Sequence, residues 1–115
     1  MHEYSIVSSL VDGVERVVAG HPGAIVRRVH VDIGELAGVE IELLRTAFTT
    51  FRDHTVCEKA ELAIHPVAAE WRCPSCHREI PVGAPLRCSE CHRPATLVAG
   101  DDITLARVEM EVTDV

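Results

Sequence analysis

Four cysteines in two closely spaced pairs are the residues of this 115-residue chain best suited to chemistry. The pairs are Cys73/Cys76 and Cys88/Cys91, each with the spacing Cys-x-x-Cys. The two-residue gap lets both sulfurs of a pair face one point, so the two pairs together can surround one tetrahedral ion. Zinc suits four thiolates, because a d¹⁰ ion has no geometric preference of its own. Four protein ligands leave no position for an activated water, so the sequence predicts a structural Zn²⁺.

Two alternatives compete for the same cysteines. His77 and His92 directly follow the pairs, so each pair also matches the Cys-x-x-Cys-His pattern of c-type haem attachment. We disfavour haem, because its attachment normally follows export and the chain does not open with a signal peptide. Iron in a rubredoxin-like site uses the same four sulfurs and remains an alternative. We expect His77 and His92 to lie beside the ion or in solvent without binding it.

The opening tripeptide, Met1-His2-Glu3, could form a second metal site. A free α-amine, the backbone amide nitrogen of His2 and its imidazole can form fused chelate rings around one ion. Such strong-field nitrogen donors favour a square-planar ion such as Ni²⁺ or Cu²⁺. Glu3 could add its own amide nitrogen or its carboxylate. Taken alone this pattern is weak, because a histidine at position 2 is usually an exposed terminal residue.

Composition and motifs limit the functional classes to which this protein can belong. The formal net charge is −7, and four thiolates on Zn²⁺ add about two more negative charges, which disfavours nucleic acid as a partner. No apolar run is long enough to span a bilayer and no targeting segment opens the chain, so we expect a cytoplasmic protein without a membrane partner. The sequence contains no phosphate-binding loop, no Gly-x-Ser-x-Gly and no His-Glu-x-x-His, so we expect that it is not an enzyme.

Hydrophobic periodicity predicts two helices and three strands. The helices span approximately Ile6–Val18, which ends at a glycine, and Val39–Asp53. The strands span approximately Ala24–Ile33, Ala60–Val67 and Ile103–Val112. The first two strands flank a helix, which favours a parallel crossover, and a proline near the end of the second favours an edge strand. The last strand is expected to return to the first sheet.

The same periodicity predicts which side chains face the core. The helix stripes are Ile6, Val7, Leu10, Val11, Val14, Val17 and Val18 in the first helix, and Leu43, Leu44, Ala47, Phe48 and Phe51 in the second. The first strand alternates Arg27, Val29, Val31 and Ile33 on one face with Val26, Arg28, His30 and Asp32 on an outer, polar face. The last strand alternates Ile103, Leu105, Arg107, Glu109 and Glu111 with Thr104, Ala106, Val108, Met110 and Val112. We expect Cys57 to be a small buried residue, and His21, His30, His54 and His65 to lie on the surface.

These elements predict an α+β fold: a small three-stranded sheet with two helices, plus an inserted Cys₄ module of zinc-ribbon or rubredoxin-like type. The predicted domains are residues 1–70 with 97–115, and residues 71–96. The segment between the two cysteine pairs is too polar to build a core, so binding of the ion must order the module. A short β-ribbon is expected between the pairs.

Several of these features together resemble the HypA/HybF family of nickel metallochaperones. They are the Met1-His2-Glu3 start, a first helix containing Ser5, the two cysteine pairs, and the closing Val108-Glu109-Met110-Glu111-Val112 strand. The resemblance covers essentially the whole chain. Cysteine pairs alone are generic, but their combination with this opening tripeptide in a chain of this length is specific.

The resemblance implies a role in maturing NiFe hydrogenases, and in some organisms urease. It implies that His2, with the Met1 amine, neighbouring backbone nitrogens and Glu3, binds Ni²⁺ as transferred cargo, while the four cysteines hold structural Zn²⁺. The implied partners are a nickel-handling GTPase and the hydrogenase large-subunit precursor. The alternative hypothesis is a zinc-ribbon module that binds another protein or nucleic acid.

Overall fold

The computed structural model describes residues 3–112, which contain two helices and five strands. Their order is α1 (Glu3–Val18), β1 (Ile25–Gly34), α2 (Ile41–Phe51), β2 (Glu61–Val67), β3 (Glu70–Arg72), β4 (Thr96–Ala99) and β5 (Ile103–Glu111). The two predicted helices and three predicted strands are confirmed, with ends displaced by a few residues. In the described range, neither helix is long and apolar enough to cross a membrane.

The main sheet has the strand order β2-β1-β5. Strands β1 and β2 are parallel, with Arg28 opposite Glu61, and α2 forms the connection between them, as predicted. Pro66 lies in β2, an edge strand, where its missing N–H breaks no bond to a further strand. Strand β5 returns antiparallel to β1, so the segment carrying the cysteine pairs is an insertion before the last strand.

The hydrophobic core lies between the main sheet and the two helices. It consists almost entirely of aliphatic side chains with one phenylalanine: Ile6, Val7, Leu10, Val11, Val14, Val26, Val29, Val31, Ile33, Leu44, Ala47, Phe48, Cys57 and Ala60. Two residues assigned to the helix stripes are exposed instead, namely Val17 (43%) and Leu43 (55%). Leu43 lies about 100° around α2 from the fully buried Leu44, outside the narrow arc that the core covers. In the last turn of α1, Val18 rather than Val17 packs against the core.

Two irregularities in the pairing of β1 with β5 place some strand residues on faces other than those predicted. The register shifts between Val26 and Arg28, so Val26 is buried beside Val29 instead of facing outward. A second shift in β5 lies between Leu105 and Arg107, and beyond it Val108 packs on the core. A bulge adds one residue to one strand and reverses the alternation, which a strict period of two does not anticipate.

A second sheet, which the sequence did not predict, consists of β3 and β4 in antiparallel pairing. It brackets the cysteine segment, because Arg72 at its end pairs with Thr96. The β-ribbon predicted between the cysteine pairs does not form. Isolated bridges, Arg72 with Glu79 and Arg87 with Pro94, close the two loops separately.

Candidate metal centre

Each Cys-x-x-Cys pair lies in a tight loop closed by backbone hydrogen bonds. In the first loop the N–H of His77 donates to the carbonyl of Cys73 (3.0 Å), and the N–H of Cys73 donates to the carbonyl of Arg78 (2.9 Å). The second loop repeats both bonds with the same lengths, using Cys88, His92 and Arg93. His77 and His92 have φ values of 59° and 58°, a left-handed conformation that turns the chain back after the second cysteine of each pair.

An arginine before each pair braces its loop. The guanidinium of Arg72 donates to the carbonyl of His77 (3.1 Å), and that of Arg87 donates to the carbonyl of His92 (2.6 Å). Neither arginine was assigned a role from the sequence. The signal was nevertheless present, because Arg-Cys-x-x-Cys-His-Arg occurs at 72–78 and again at 87–93. The repeat specifies the loop conformation as well as the ligands.

The two loops bring all four predicted sulfur ligands into one cluster. The Sγ atoms of Cys73 and Cys91 are 3.1 Å apart and those of Cys76 and Cys88 are 3.4 Å apart. All four atoms lie within 4.8 Å of one another, and all four cysteines are free thiols. Sulfurs about 2.3 Å from a tetrahedral Zn²⁺ are about 3.8 Å from each other, so the cluster fits such an ion.

Hydrogen bonds within the loops shift the pKa values of the thiols, some downward and one upward. The backbone N–H of Cys76, followed by the thiol of Cys91, lowers the pKa of Cys73 to about 6. The backbone of Cys91 similarly lowers the pKa of Cys88, whereas the bond to Cys73 raises the pKa of Cys91 to about 11. The buried first cysteine of each pair therefore loses its proton more readily than an ordinary thiol. Ligation by all four sulfurs requires that the ion displace the proton of Cys91.

His77 and His92 are exposed and are not part of the four-sulfur group. Cys73 and Cys88 are buried, while Cys76 and Cys91 are exposed at the surface of the loops. One side of the cluster is therefore accessible to solvent. The arrangement can hold a tetrahedral ion, and four thiolates leave no open position for substrate.

The predicted nickel site falls largely outside the described residues, since Met1 and His2 precede them. Glu3 is the first residue of α1 and is half-buried. It lines a depression of about 200 Å³ with Tyr4, Leu43, Thr46 and Ala47. The cysteine cluster lies in the separate segment between β3 and β4.

One histidine contradicts its predicted surface position. His30 in β1 is only 7% exposed, whereas His21, His54 and His65 are exposed as expected. Its two ring nitrogens contact His65 in β2 and Glu109 in β5. No local pattern indicated this group, because its members lie 35 and 79 residues from His30.

Comparison with known proteins gives matches along the whole chain. The model of the HypA family, described as metallochaperones for nickel incorporation into hydrogenase and urease, matches residues 1–110. Hydrogenase maturation factor HypA of Shewanella halifaxensis is 39% identical over 113 residues, covering 96% of this chain and 98% of the relative. The HypA of Aquifex aeolicus is 38% identical over 114 residues, covering 97% and 99%.

Solved structures agree with these sequence matches. The solution structure of the nickel metallochaperone HypA from Helicobacter pylori superimposes with a TM-score of 0.74 and 33% identity, covering 98% of this chain and all of the other. A second solution structure of a HypA protein gives a TM-score of 0.80, also at 33% identity, and covers 96% and 97% of the two chains.

Proposed function

Because this chain belongs to the HypA family of nickel metallochaperones of hydrogenase maturation, we propose that it binds Ni²⁺ through Met1, His2 and Glu3 and passes the ion on. The observation that carries the proposal is the family match, which begins at residue 1 and so includes the opening tripeptide. The destination is the precursor of a NiFe hydrogenase large subunit, with urease a further recipient. A nickel-handling GTPase in the cytoplasm is the proposed partner in this transfer.

The start of α1 supports nickel binding at this terminus. Glu3 is the first residue of the helix, and the first N–H groups of a helix have no acceptor within it. The amide nitrogen of Glu3 is therefore available to lose its proton and bind an ion together with the nitrogens of Met1 and His2. Two deprotonated amides neutralise the charge of Ni²⁺, so the positive end of the helix dipole does not repel the complex.

A terminal site of this kind suits transfer rather than storage. Its ligands belong to the end of the chain instead of a closed cage, so a partner's ligands can replace them one by one. The imidazole of His2 is the ligand that needs least rearrangement to leave. No chemical bond of a substrate is broken, so the proposed activity is ion delivery and not catalysis.

The cysteine cluster has a different proposed role. Cys73, Cys76, Cys88 and Cys91 would hold a structural Zn²⁺, which supplies four strong bonds to a segment with few buried side chains of its own. Ile80 is the one buried aliphatic residue between the two loops. The ion would thereby order the surface that the inserted segment offers to a partner.

Nickel titration of proteins with altered termini tests the proposal. Protein with the native terminus, protein with extra residues before Met1, and His2→Ala are each loaded with one Zn²⁺ and titrated with Ni²⁺ by calorimetry. The extension and His2→Ala should both abolish the tightest nickel binding, because the first removes the α-amine and the second removes the imidazole.

The matched control is His21→Ala, which removes an exposed histidine after α1. It should bind Ni²⁺ like the parent protein, and zinc content should remain one ion per chain throughout. Equal nickel binding by the parent and His2→Ala would refute the terminal site. The zinc-ribbon interaction module would then be the better interpretation of the chain.

A further inference from the structure

A polar cluster lies on the main sheet, on the face opposite the helices. It contains His30 from the central strand β1, His65 from β2 and Glu109 from β5, so each strand contributes one side chain. Nδ1 of His30 is 2.8 Å from Nε2 of His65, and Nε2 of His30 is 2.5 Å from a carboxylate oxygen of Glu109. His30 is 7% exposed, while His65 is open to solvent. Neither metal-binding region already described uses these residues.

The two imidazoles meet edge to edge. Their planes differ by 8°, and their centroids are 5.0 Å apart, although the two facing nitrogens are only 2.8 Å apart. The line between the centroids therefore runs through both nitrogens, which excludes face-to-face stacking. At 2.8 Å the two nitrogens are within hydrogen-bond distance, so one of them donates to the other.

The carboxylate determines which nitrogen of His30 carries hydrogen. The hydrogen bond from His30 lowers the pKa of Glu109, so Glu109 is ionised and accepts the bond. Nε2 of His30 is consequently the donor, and in the neutral ring Nδ1 keeps its lone pair. His65 then donates its Nε2–H to His30. If His65 moves that proton to its own Nδ1, both facing nitrogens become metal ligands without net loss of a proton.

We propose that His30 and His65 form a second, weaker site for a divalent transition-metal ion of the kind that prefers imidazole, such as Ni²⁺ or Zn²⁺. Nδ1 of His30 and Nε2 of His65 are the two protein ligands. Glu109 holds the far nitrogen of His30, an arrangement that fixes the ring and increases the basicity of the ligating nitrogen. Water or a group from a partner fills the other positions. This inference does not depend on the terminal nickel site.

The required movement falls on His65, because His30 is buried and held by Glu109. Two nitrogens about 2.0–2.1 Å from one ion are about 2.9–3.4 Å apart for angles between square and tetrahedral, compared with 2.8 Å here. The rings must also tilt so that their lone pairs converge beside the line that now joins them. His65 can make this movement because it is exposed, and a depression of about 320 Å³ lies beside both rings.

Neighbouring arginines limit the affinity. The guanidinium of Arg107 lies 3.1 Å from Nε2 of His30, and this contact is not a hydrogen bond because that nitrogen donates to Glu109. Arg28 approaches the Glu109 carboxylate to 3.8 Å. Both cations oppose a further positive charge, and only two protein side chains bind the ion. We therefore expect binding weaker than that of the four-sulfur cluster.

Calorimetric titration with Ni²⁺ tests the site in full-length His2→Ala protein carrying one Zn²⁺, so that the terminus does not contribute. We expect a residual weak binding event, with paramagnetic broadening of the imidazole NMR signals of His30 and His65. His65→Gln should abolish this event, because it removes one of two ligands from an exposed position. Glu109→Gln should weaken it by about 10–100-fold, the usual effect of losing the partner of a ligating histidine.

His21→Gln is the matched control, since it removes an exposed histidine outside the cluster and should leave the weak event unchanged. Three outcomes would overturn the inference: no nickel uptake by the His2→Ala protein, equal uptake after His65→Gln, or equal loss after His21→Gln. None of these outcomes bears on the terminal site, whose failure would appear as unchanged tight binding when His2→Ala is compared with the parent protein.

Discussion

At the scale of single residues, the same side chain has different chemistry in different surroundings. Cys73 and Cys57 are both fully buried thiols. Backbone N–H groups in a tight loop lower the pKa of Cys73 to about 6, whereas burial, with a smaller effect of Glu15, raises that of Cys57 to about 11. The first thiol is prepared for a metal ion, and the second is a core residue beside Phe48 and Ala60 in the same cluster of buried side chains.

Cys57 should consequently be the least reactive thiol of the protein. A pKa near 11 instead of 9.0 leaves about one-hundredth of the usual thiolate at pH 7.5. The pKa of Cys91 is also raised to about 11, but Cys91 is exposed, whereas the sulfur of Cys57 is inaccessible. After chelation of the metal, iodoacetamide should label four cysteines rapidly and Cys57 only when the protein is unfolded with urea. Peptide mass spectrometry identifies the labelled positions. Labelling of Cys57 as fast as that of Cys76 would show that the core around it opens readily.

At the scale of elements, close backbone contacts determine how the inserted segment joins the main sheet. Gly34 ends β1, and its N–H donates to the carbonyl of Asp102 (2.9 Å). The carbonyl of Gly100, between β4 and β5, accepts from the N–H of Leu36 (2.8 Å). The chain between β2 and β3 lies against the same point, since a Cβ on Gly100 would be 2.5 Å from Cα of Ala69. Three backbone segments therefore meet where there is no room for side chains.

Gly100→Ala should destabilise this junction strongly. Gly100 has a φ of +97°, and an added Cβ would also approach the carbonyl oxygen of Ala68 to 2.8 Å. Gly38→Ala is the matched control, because Gly38 has a φ of +72° but no atom within 4 Å of the added Cβ. The control should lose only about 1–2 kcal/mol of unfolding free energy from the left-handed conformation. Gly100→Ala should lose about 1–3 kcal/mol more, through the overlap with neighbouring backbone.

Urea unfolding of the zinc-loaded proteins, followed by circular dichroism, measures both losses. Equal midpoints for the two variants would indicate that the three segments separate at little cost. The junction would then be a flexible hinge instead of a fixed contact.

At the scale of the whole molecule, two regions depend on different sources of stability. The main sheet and helices share an aliphatic core, whereas the segment between β3 and β4 has few buried side chains besides the cysteines. We propose that these regions are separate domains, approximately residues 1–70 with 97–115 and residues 71–96. Metal binding and hydrophobic burial would then stabilise different parts of one chain.

Removing the metal should therefore unfold the cysteine segment and leave the main sheet and helices folded. In Cys73→Ala, or after chelation, the cysteine segment should lose the protection of its amides from hydrogen exchange. The variant has only three of the four ligands, and the chelated protein has no ion to order the segment. The helices α1 and α2 should persist, since their core contacts contain no metal ligand. Far-ultraviolet circular dichroism and hydrogen exchange distinguish the two regions. Loss of helix signal together with the cysteine segment would show that the regions fold as a single unit.

Short-range patterns in the sequence determined the types of element and the sulfur ligands. A helix stripe such as Val7, Leu10 and Val14 repeats within a few turns, and the ligands of each Cys-x-x-Cys loop are three residues apart. Such patterns express local geometry, so they identified both helices, three strands, the α+β class and the inserted module. They also predicted the buried position of Cys57, which the structure confirms.

The buried faces of the strands and the contacts between distant residues became known only from the folded arrangement of the strands. A bulge changed the side on which Val26 lies, and an unpredicted two-stranded sheet closed the base of the inserted segment. His30 is buried between His65 and Glu109 because β2 and β5 pair on either side of β1. Strand pairing depends on contacts across tens of residues, and no pattern within a single strand records which partner will lie beside it.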